Sequence, residues 1–291
     1  MNSRRKIVWL ASFPKSGNTW TRAFLGNYFQ PTGKNLSINE LSAITTSEVK
    51  QSWYDLAVGK PFVGKTLDDC LALRPKIQRM IADSSPGNRF VKTHSKMGRV
   101  GNIDLIMPEV TAAAIYIVRN PFDVAVSFAR HSSISIDESV RRLCDPLNLI
   151  STSTLIFDCL DRWDNHVKGW TNAPGLARHV MRYEDMIQDP KKSFIGLLNF
   201  LKVPVDPKKL RLALKATSFK ELQRQEREKG FRERPKDAKA FFVSGKAGGW
   251  KEKLTVEQVE TLRTEFADTL EKYFPEVAKE ADAFIALENP V

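Results

Sequence analysis

Cysteine is scarce in this 291-residue chain: Cys70, Cys144 and Cys159 stand far apart. An odd count at wide spacing excludes a disulfide framework and offers no cysteine-based zinc site, and it fits a reducing compartment. Long apolar runs are missing too. The first, Ile7 to Ala11, is too short for a secretory signal, and none reaches the ~18 residues of a membrane span. The expected location is therefore cytoplasmic, with no membrane span. There is no Pro/Gly/Ser-rich linker, internal repeat or low-complexity tract, so residues 1–291 read as a single domain. Acidic residues are in deficit, 34 against 45 Lys and Arg, for a net charge of +11. That excess suits an anionic partner: a nucleotide, a nucleic acid, an anionic membrane or an acidic substrate. The basic residues are scattered except from Arg211 to Lys239. There they alternate with Glu221, Glu226, Glu228 and Glu233, as on a solvated helix rather than a nucleic-acid arm, so no nucleic-acid partner is expected.

What is present is alternation. Ile7-Val8-Trp9-Leu10-Ala11 is apolar throughout, as a strand buried on both faces should be. Phe13 to Gly17 carries turn residues, and Trp20, Phe24, Leu25 and Tyr28 then fall at helical spacing. Phe90-Val91-Lys92, Ala113 to Val118 and Ala177 to Met181 read as further strands. Pro121 opens a helix continued by Val124, Val126, Phe128 and Ala129. Leu155 to Trp170 is an amphipathic helix with Ile156, Leu160, Trp163, Val167 and Trp170 on one face; Phe194 to Leu201 and Val256 to Tyr273 are later helices. Buried strands alternating with helices predict an α/β fold, a central parallel sheet flanked by helices.

The first strand-loop-helix unit is a built-in anion site. The leading N–H groups of a helix lack internal partners, and its dipole is positive there. Lys15, Ser16, Asn18 and Thr19 add donors, and Gly17 allows close backbone approach. An ordinary turn with a solvated lysine is the plainer alternative. The loop is P-loop-like but is not a Walker A loop, because Lys15 precedes Ser16-Gly17 and the first glycine is missing. A nucleotide kinase remains the competing enzyme class, and a nucleic-acid-binding module the competing non-enzyme.

Pro14-Lys15-Ser16-Gly17-Asn18-Thr19-Trp20 resembles the 5′-phosphosulfate loop of cytosolic sulfotransferases, which use 3′-phosphoadenylyl sulfate; many members have Thr at the place of Asn18. Further segments match in the family's order. Tyr116 to Ser127 looks like the 3′-phosphate segment, which assigns that phosphate to Arg119 and Ser127. Arg119 would end a buried strand, where open α/β sheets bind ligands, and guanidinium matches phosphate bidentately; a surface ion pair with Asp123 is the alternative. Lys92-Thr93-His94 is similar to the segment holding the family's catalytic base, which makes His94 that base. His166 lies in a segment that also looks like a family helix and reads as packing. Tyr183, within Arg182 to Met186, and Thr217 and Phe219 match adenine-side segments, so Trp20 and Phe219 would sandwich the purine. Gly245-Lys246-Ala247-Gly248-Gly249-Trp250-Lys251 resembles the family's last phosphate segment. Here the usual Arg is Val243, leaving Lys246 or Arg234 as substitutes. Lys251, Thr255, Val256 and Glu260 fit the family's dimer motif, which implies a homodimer through Lys251 to Glu260.

The resemblance implies transfer of a sulfuryl group from 3′-phosphoadenylyl sulfate, leaving adenosine 3′,5′-bisphosphate, to a hydroxyl or amine of a small acceptor, with no metal required. Catalysis would then be positioning plus charge stabilisation. Lys15 would stabilise the leaving phosphate oxygen, Lys92 would stand by the transferring group, and His94 would take the acceptor's proton. Segments 30–64, 130–152 and 224–245 are placed to shape the acceptor pocket. Trp53, Tyr54, Phe62, Phe231, Phe241 and Phe242 within them, with Phe128 just before the second, suit an apolar or aromatic acceptor, or are simply core.

Overall fold

The computed structural model describes residues 6–31, 34–63, 66–152, 156–235 and 238–288. Five parallel strands form the central sheet: β1 (Ile7–Ser12), β2 (Thr45–Ser47), β3 (Arg89–Thr93), β6 (Thr111–Val118) and β9 (Arg178–Arg182), in the spatial order β2-β3-β1-β6-β9. Two small antiparallel pairs, β4 (Arg99–Val100) with β5 (Ile103–Asp104) and β7 (Leu149–Ile150) with β8 (Asp158–Cys159), lie outside it.

The apolar run at Ile7 to Ala11 forms a central strand for the expected reason. Alternate side chains feed opposite faces, and both faces are covered. Trp9 and Ala11 join Val91, Ala114 and Tyr116 in one core, with Trp163, Trp170 and Phe266 above them. Val8 and Leu10 join Ile115, Ile117 and Met181 in the other, packed on Phe24 and Phe194. The helices over these faces include α1 (Asn18–Phe29), α2 (Gln51–Val58), α3 (Leu67–Asp83), α4 (Pro121–Ser132), α5 (Ile136–Leu143) and α6 (Trp163–Asn172). Then come α7 (Tyr183–Gln188), α8 (Pro190–Phe200), α9 (Pro207–Ala216), α10 (Phe219–Lys229), α11 (Val256–Glu265), α12 (Ala267–Tyr273) and α13 (Pro275–Glu288). No helix among the described residues is long and apolar enough to cross a membrane.

Two helix expectations are corrected. The helix expected from Leu155 starts only at Trp163; residues 153–155 lie outside the described residues. Neighbouring segments take the backbone groups ahead of it: Ile156 N–H donates to Val49, Leu160 N–H to Asn148, and the Cys159 carbonyl accepts from Lys96. Asp161 is also left-handed, at φ 65°. The helix expected from Val256 to Tyr273 is two, α11 and α12, broken at Phe266 with φ −117° and ψ 20°. The described part of the Arg211–Lys239 stretch comprises the end of α9, then α10 and an irregular segment after it.

Register sets the site. Ser12 pairs with Ile117, Ala11 with Thr93, and Val118 with Arg182. The carboxyl ends of β1, β3, β6 and β9 therefore lie along one edge. The strand order switches sides there, since β3 and β2 lie to one side of β1 and β6 and β9 to the other. Open α/β sheets bind ligands at such a switch point.

Candidate active site

Four strand ends deliver the candidate residues. After β1 the chain turns through Lys15, left-handed at φ 68°, and Gly17, at φ 108°. A Cβ on Gly17 would stand 2.9 Å from Tyr183 Cδ2, so glycine is needed both for the backbone angle and for the close approach. No side chain caps the start of α1, which leaves its first N–H groups for an anion. Ser16 Oγ is buried with no partner among the described residues, and so is the Trp20 indole Nε1. Thr19 is buried beside them. The side chain of Asn18 corrects one expectation. Its amide donates inward, to the Leu10 carbonyl at 2.9 Å and Ser12 Oγ at 3.3 Å, so it fastens the loop to β1 and only its backbone faces the cradle as donor.

Arg119 follows β6 and is nearly buried. It donates to the Lys15 carbonyl at 3.3 Å and the Lys246 carbonyl at 3.1 Å, and its guanidinium lies 4.3 Å from the Tyr183 ring centroid. Its Nε is buried without a partner among the described residues. The ion pair with Asp123 exists, at 3.5 Å, but does not exhaust the group. The Asp123 carboxylate also accepts from Gly248 N–H at 2.9 Å and Trp250 N–H at 3.2 Å, binding the glycine-rich loop to α4. Tyr183 touches Arg119, the Gly17 turn and, edge-on at 6.2 Å, Trp20. Ser127 is half-buried on α4. Thr217 ends α9 with its hydroxyl donating to the Ala213 carbonyl. Phe219 packs so tightly on Gly245 (φ 60°) that a Cβ there would meet its ring at 2.4 Å. Val243 is exposed at the position where an arginine was expected. Of the two expected substitutes, Arg234 is already held by the Lys239 carbonyl at 3.3 Å and Glu226 at 3.6 Å, whereas Lys246 is exposed beside the Arg119 contact.

β3 brings Lys92 and His94 to the same edge. His94 Nδ1 lies 2.7 Å from the Ser12 carbonyl. A carbonyl only accepts, so Nδ1 carries the proton and Nε2 keeps its lone pair. Burial, then the cationic Lys92, pushes the His94 pKa well below 6.5. The ring is a neutral base at neutral pH. His166, read as packing, supports it. Its Nε2 donates to the His94 carbonyl at 3.1 Å while its Nδ1 accepts from the Tyr116 hydroxyl at 2.9 Å. Beneath this strand end, Thr93 donates to Glu48 at 2.7 Å, Ser95 donates to Asp158 at 3.1 Å, and Arg74 donates to Ser95 at 3.0 Å.

The sequence pointed to none of Arg22, Glu233 and His131 as site residues. Arg22, buried on α1, donates through both terminal nitrogens to Glu233, at 2.7 and 2.8 Å. Glu233 also stands 3.7 Å from Lys92. It lies in the segment after α10 whose Phe241 and Phe242 N–H groups donate to Glu226 at 2.7 and 2.9 Å. Phe241 in turn lies under the Lys15 ammonium, 3.7 Å from ring centroid to Nζ. A helical period of 3.6 would have placed Arg22 near Thr19, but nothing in the sequence marks a pairing across more than two hundred residues. Among the seven candidate pocket aromatics, Tyr54, Phe128, Phe231 and Phe242 are core, and Phe241 is the one that meets a site lysine.

A sulfotransferase-domain family model matches residues 5–274. Flavonol 3-sulfotransferase of Flaveria bidentis is 25% identical over 88% of this chain and 78% of its own length. Amine sulfotransferase of Oryctolagus cuniculus is 23% identical over 92% and 81%. Among solved structures, a mouse sulfotransferase complexed with PAP superposes with a TM-score of 0.60, at 17% identity over 98% of this chain and 91% of that one. A retinol dehydratase complexed with androsterone and PAP gives 0.61, at 19% identity over 92% and 81%. With the family model spanning the sheet, the loop after β1 and the ends of β3, β6 and β9, this chain belongs to the sulfotransferase family.

Proposed function

We propose that the chain is a single sulfotransferase domain that moves a sulfuryl group from 3′-phosphoadenylyl sulfate to a hydroxyl or amine of a small apolar or aromatic acceptor. The observation that carries this reading is a pairing across adjacent strand ends. His94, neutral with a bare Nε2, hangs from the last carbonyl of β1, and the next residues of that chain form an uncapped, glycine-turned anion loop. The buried, unpartnered polar atoms fit the nucleotide: Ser16 Oγ on the loop, Trp20 Nε1 beside it and Arg119 Nε at the β6 end.

Bound there, the nucleotide supplies an activated sulfuryl group on a phosphate. The backbone of Gly17, Asn18 and Thr19, with the hydroxyls of Ser16 and Thr19, holds the 5′ end. Arg119 and Ser127 hold the 3′-phosphate, with Gly245 and Lys246 closing over it where Val243 offers no charge. Trp20 and Phe219 flank the purine, with Tyr183 and Thr217 at its edge. Lys15 places positive charge at the phosphate oxygen released, and Lys92 places it by the group in transit. His94 Nε2 accepts the proton of the acceptor. The names of the relatives, flavonol and amine sulfotransferases, support hydroxyl and amine acceptors.

Exposed Lys251 and Thr255 and half-buried Val256 leave the 251–260 segment accessible for a homodimer contact. Thermal stabilisation by adenosine 3′,5′-bisphosphate without magnesium is the expected result. Stabilisation by ATP only with magnesium, or by oligonucleotides alone, would overturn the reading.

A further inference from the structure

Lys15 stands among cations. Burial, then the charges of Arg119 after β6, Lys92 on β3 and Arg130 on α4, lowers its pKa to about 7; Glu226 on α10 acts in the opposite sense. No ion pair with a carboxylate holds its ammonium among the described residues. What holds it is neutral. His131 Nδ1 lies 3.4 Å from Lys15 Nζ, and the Phe241 ring lies 3.7 Å away. His131 itself packs edge-on against Phe241, at 5.6 Å and 83°. Burial and the same lysines push its pKa down to about 3, so it is an acceptor and not a fourth cation. Its ring proton is then on Nε2, with the Nδ1 lone pair toward Lys15.

We propose that His131 is the positioning residue for Lys15, an uncharged holder that keeps the ammonium in the site without supplying a counterion, so that the bound nucleotide is the first anion Lys15 meets. The inference rests on the assignment of Lys15 to the phosphate loop. A carboxylate at position 131 would hold the lysine more strongly but would compete with the phosphates for it. A neutral imidazole orients without competing. The arrangement has a measurable consequence. An arriving anion favours the charged form of Lys15, so binding takes up a proton near and above neutral pH. Because the hydrogen bond to His131 also favours the ammonium, its loss lowers the pH at which the free site gives up that proton.

The test is isothermal titration with adenosine 3′,5′-bisphosphate across about pH 6 to 9, in buffers of differing ionisation enthalpy, which counts protons taken up. Wild type is expected to show uptake. In His131→Phe the rise of uptake with pH should begin at least about half a unit lower, as expected for loss of a charge-assisted hydrogen bond. His131→Asn, whose Oδ1 can replace Nδ1, should restore the wild-type curve. His131→Asp should weaken binding about tenfold or more and suppress the uptake. If Lys15→Met leaves the uptake unchanged, the assignment of Lys15 to the phosphate loop fails. If Lys15→Met removes it but the Phe and Asp variants behave as wild type, the role of His131 alone is refuted.

Discussion

Replacing His94 separates the two roles proposed for it, because one ring nitrogen bonds to Ser12 and the other is the base proposed for the acceptor. In His94→Ala the Ser12 carbonyl, on a residue with no exposure, loses its 2.7 Å donor. An unsatisfied buried acceptor costs ~1–3 kcal/mol. That lowers the melting temperature by a few degrees in a chain of this size. Loss of the base should cost ~10²–10⁴ in turnover. His94→Asn divides the two effects: its amide can donate to Ser12 but has no basic nitrogen. Its stability should be close to wild type, its affinity for adenosine 3′,5′-bisphosphate within about threefold, and its turnover as poor as that of the alanine variant. Transfer from labelled 3′-phosphoadenylyl sulfate to a panel of phenols, sterols and amines, alongside nucleotide titration, measures all three. Turnover of His94→Asn within tenfold of wild type would refute the assignment of the base. The pH dependence gives a second check. Since the His94 pKa lies well below 6.5, the step it supports should persist as pH falls past that value and fail only in more acid solution.

Other consequences follow from single contacts. Gly17→Ala forces a side chain onto φ 108° and against Tyr183, and should abolish nucleotide-induced stabilisation in a thermal melt; a normal shift would show the turn can move. Glu233→Gln removes the charge held by Arg22 and Lys92. With Glu233 a third exposed, the cost is discounted to ~1–2 kcal/mol, read as an earlier denaturant midpoint. An unchanged midpoint would show that the pair contributes nothing. Val256→Glu, on the half-buried start of α11, should convert a dimer to monomer in light scattering without altering nucleotide affinity. A wild type that is already monomeric at high concentration would dispose of that interface.

The sheet and the anion loop were legible because they are local. A strand buried on both faces is written as a continuous apolar run, and the turn after it as Phe13 to Gly17 between that run and a helical period. The placement of His94 and Arg119 at the sheet edge was legible because each follows a recognisable strand. What stayed hidden is long-range. Asn18 reads as a donor in any loop; only the fold shows its amide turned back on Leu10. Glu233 and Glu226 read as the acidic side of a solvated helix, yet one closes on Arg22 and the other holds the Phe241 and Phe242 amides. The helix start at Trp163 was missed because amphipathic spacing continues through Ile156 and Leu160, whose N–H groups bond to other segments.

The floor under His94 holds more negative than positive charge. Glu48 and Asp158 are buried beside Arg74, whose guanidinium lies 3.9 Å from Glu48. Burial outweighs the cations that reach the pair, Arg74 on both and Lys92 on Asp158, so both carboxyls are pushed up. Burial, then the charge of Asp158, pushes Glu48 up to about 7. For an acid whose folded pKa lies above its unfolded value near 4.5, the stabilising proton is fully present below 4.5 and lost as pH rises through about 7. Buried His166 works in the opposite direction. Its pKa is lowered to about 4, so its stability is present above 6.5 and lost as pH falls through about 4. The two slopes oppose each other between roughly pH 4.5 and 6.5; above that window His166 no longer contributes, while buried Lys15, lowered to about 7, adds a rising slope that comparison with a Glu48 variant cancels. Glu48→Gln cannot ionise and can still accept from Thr93. The stability of wild type relative to this variant should therefore fall by a few kcal/mol between about pH 5 and 8, read from denaturant midpoints at each pH. A constant difference would mean that Glu48 holds no proton there. A falling one would place a titrating charge two contacts from the base, since Asp158, which raises Glu48, also accepts from the His94 N–H at 3.3 Å.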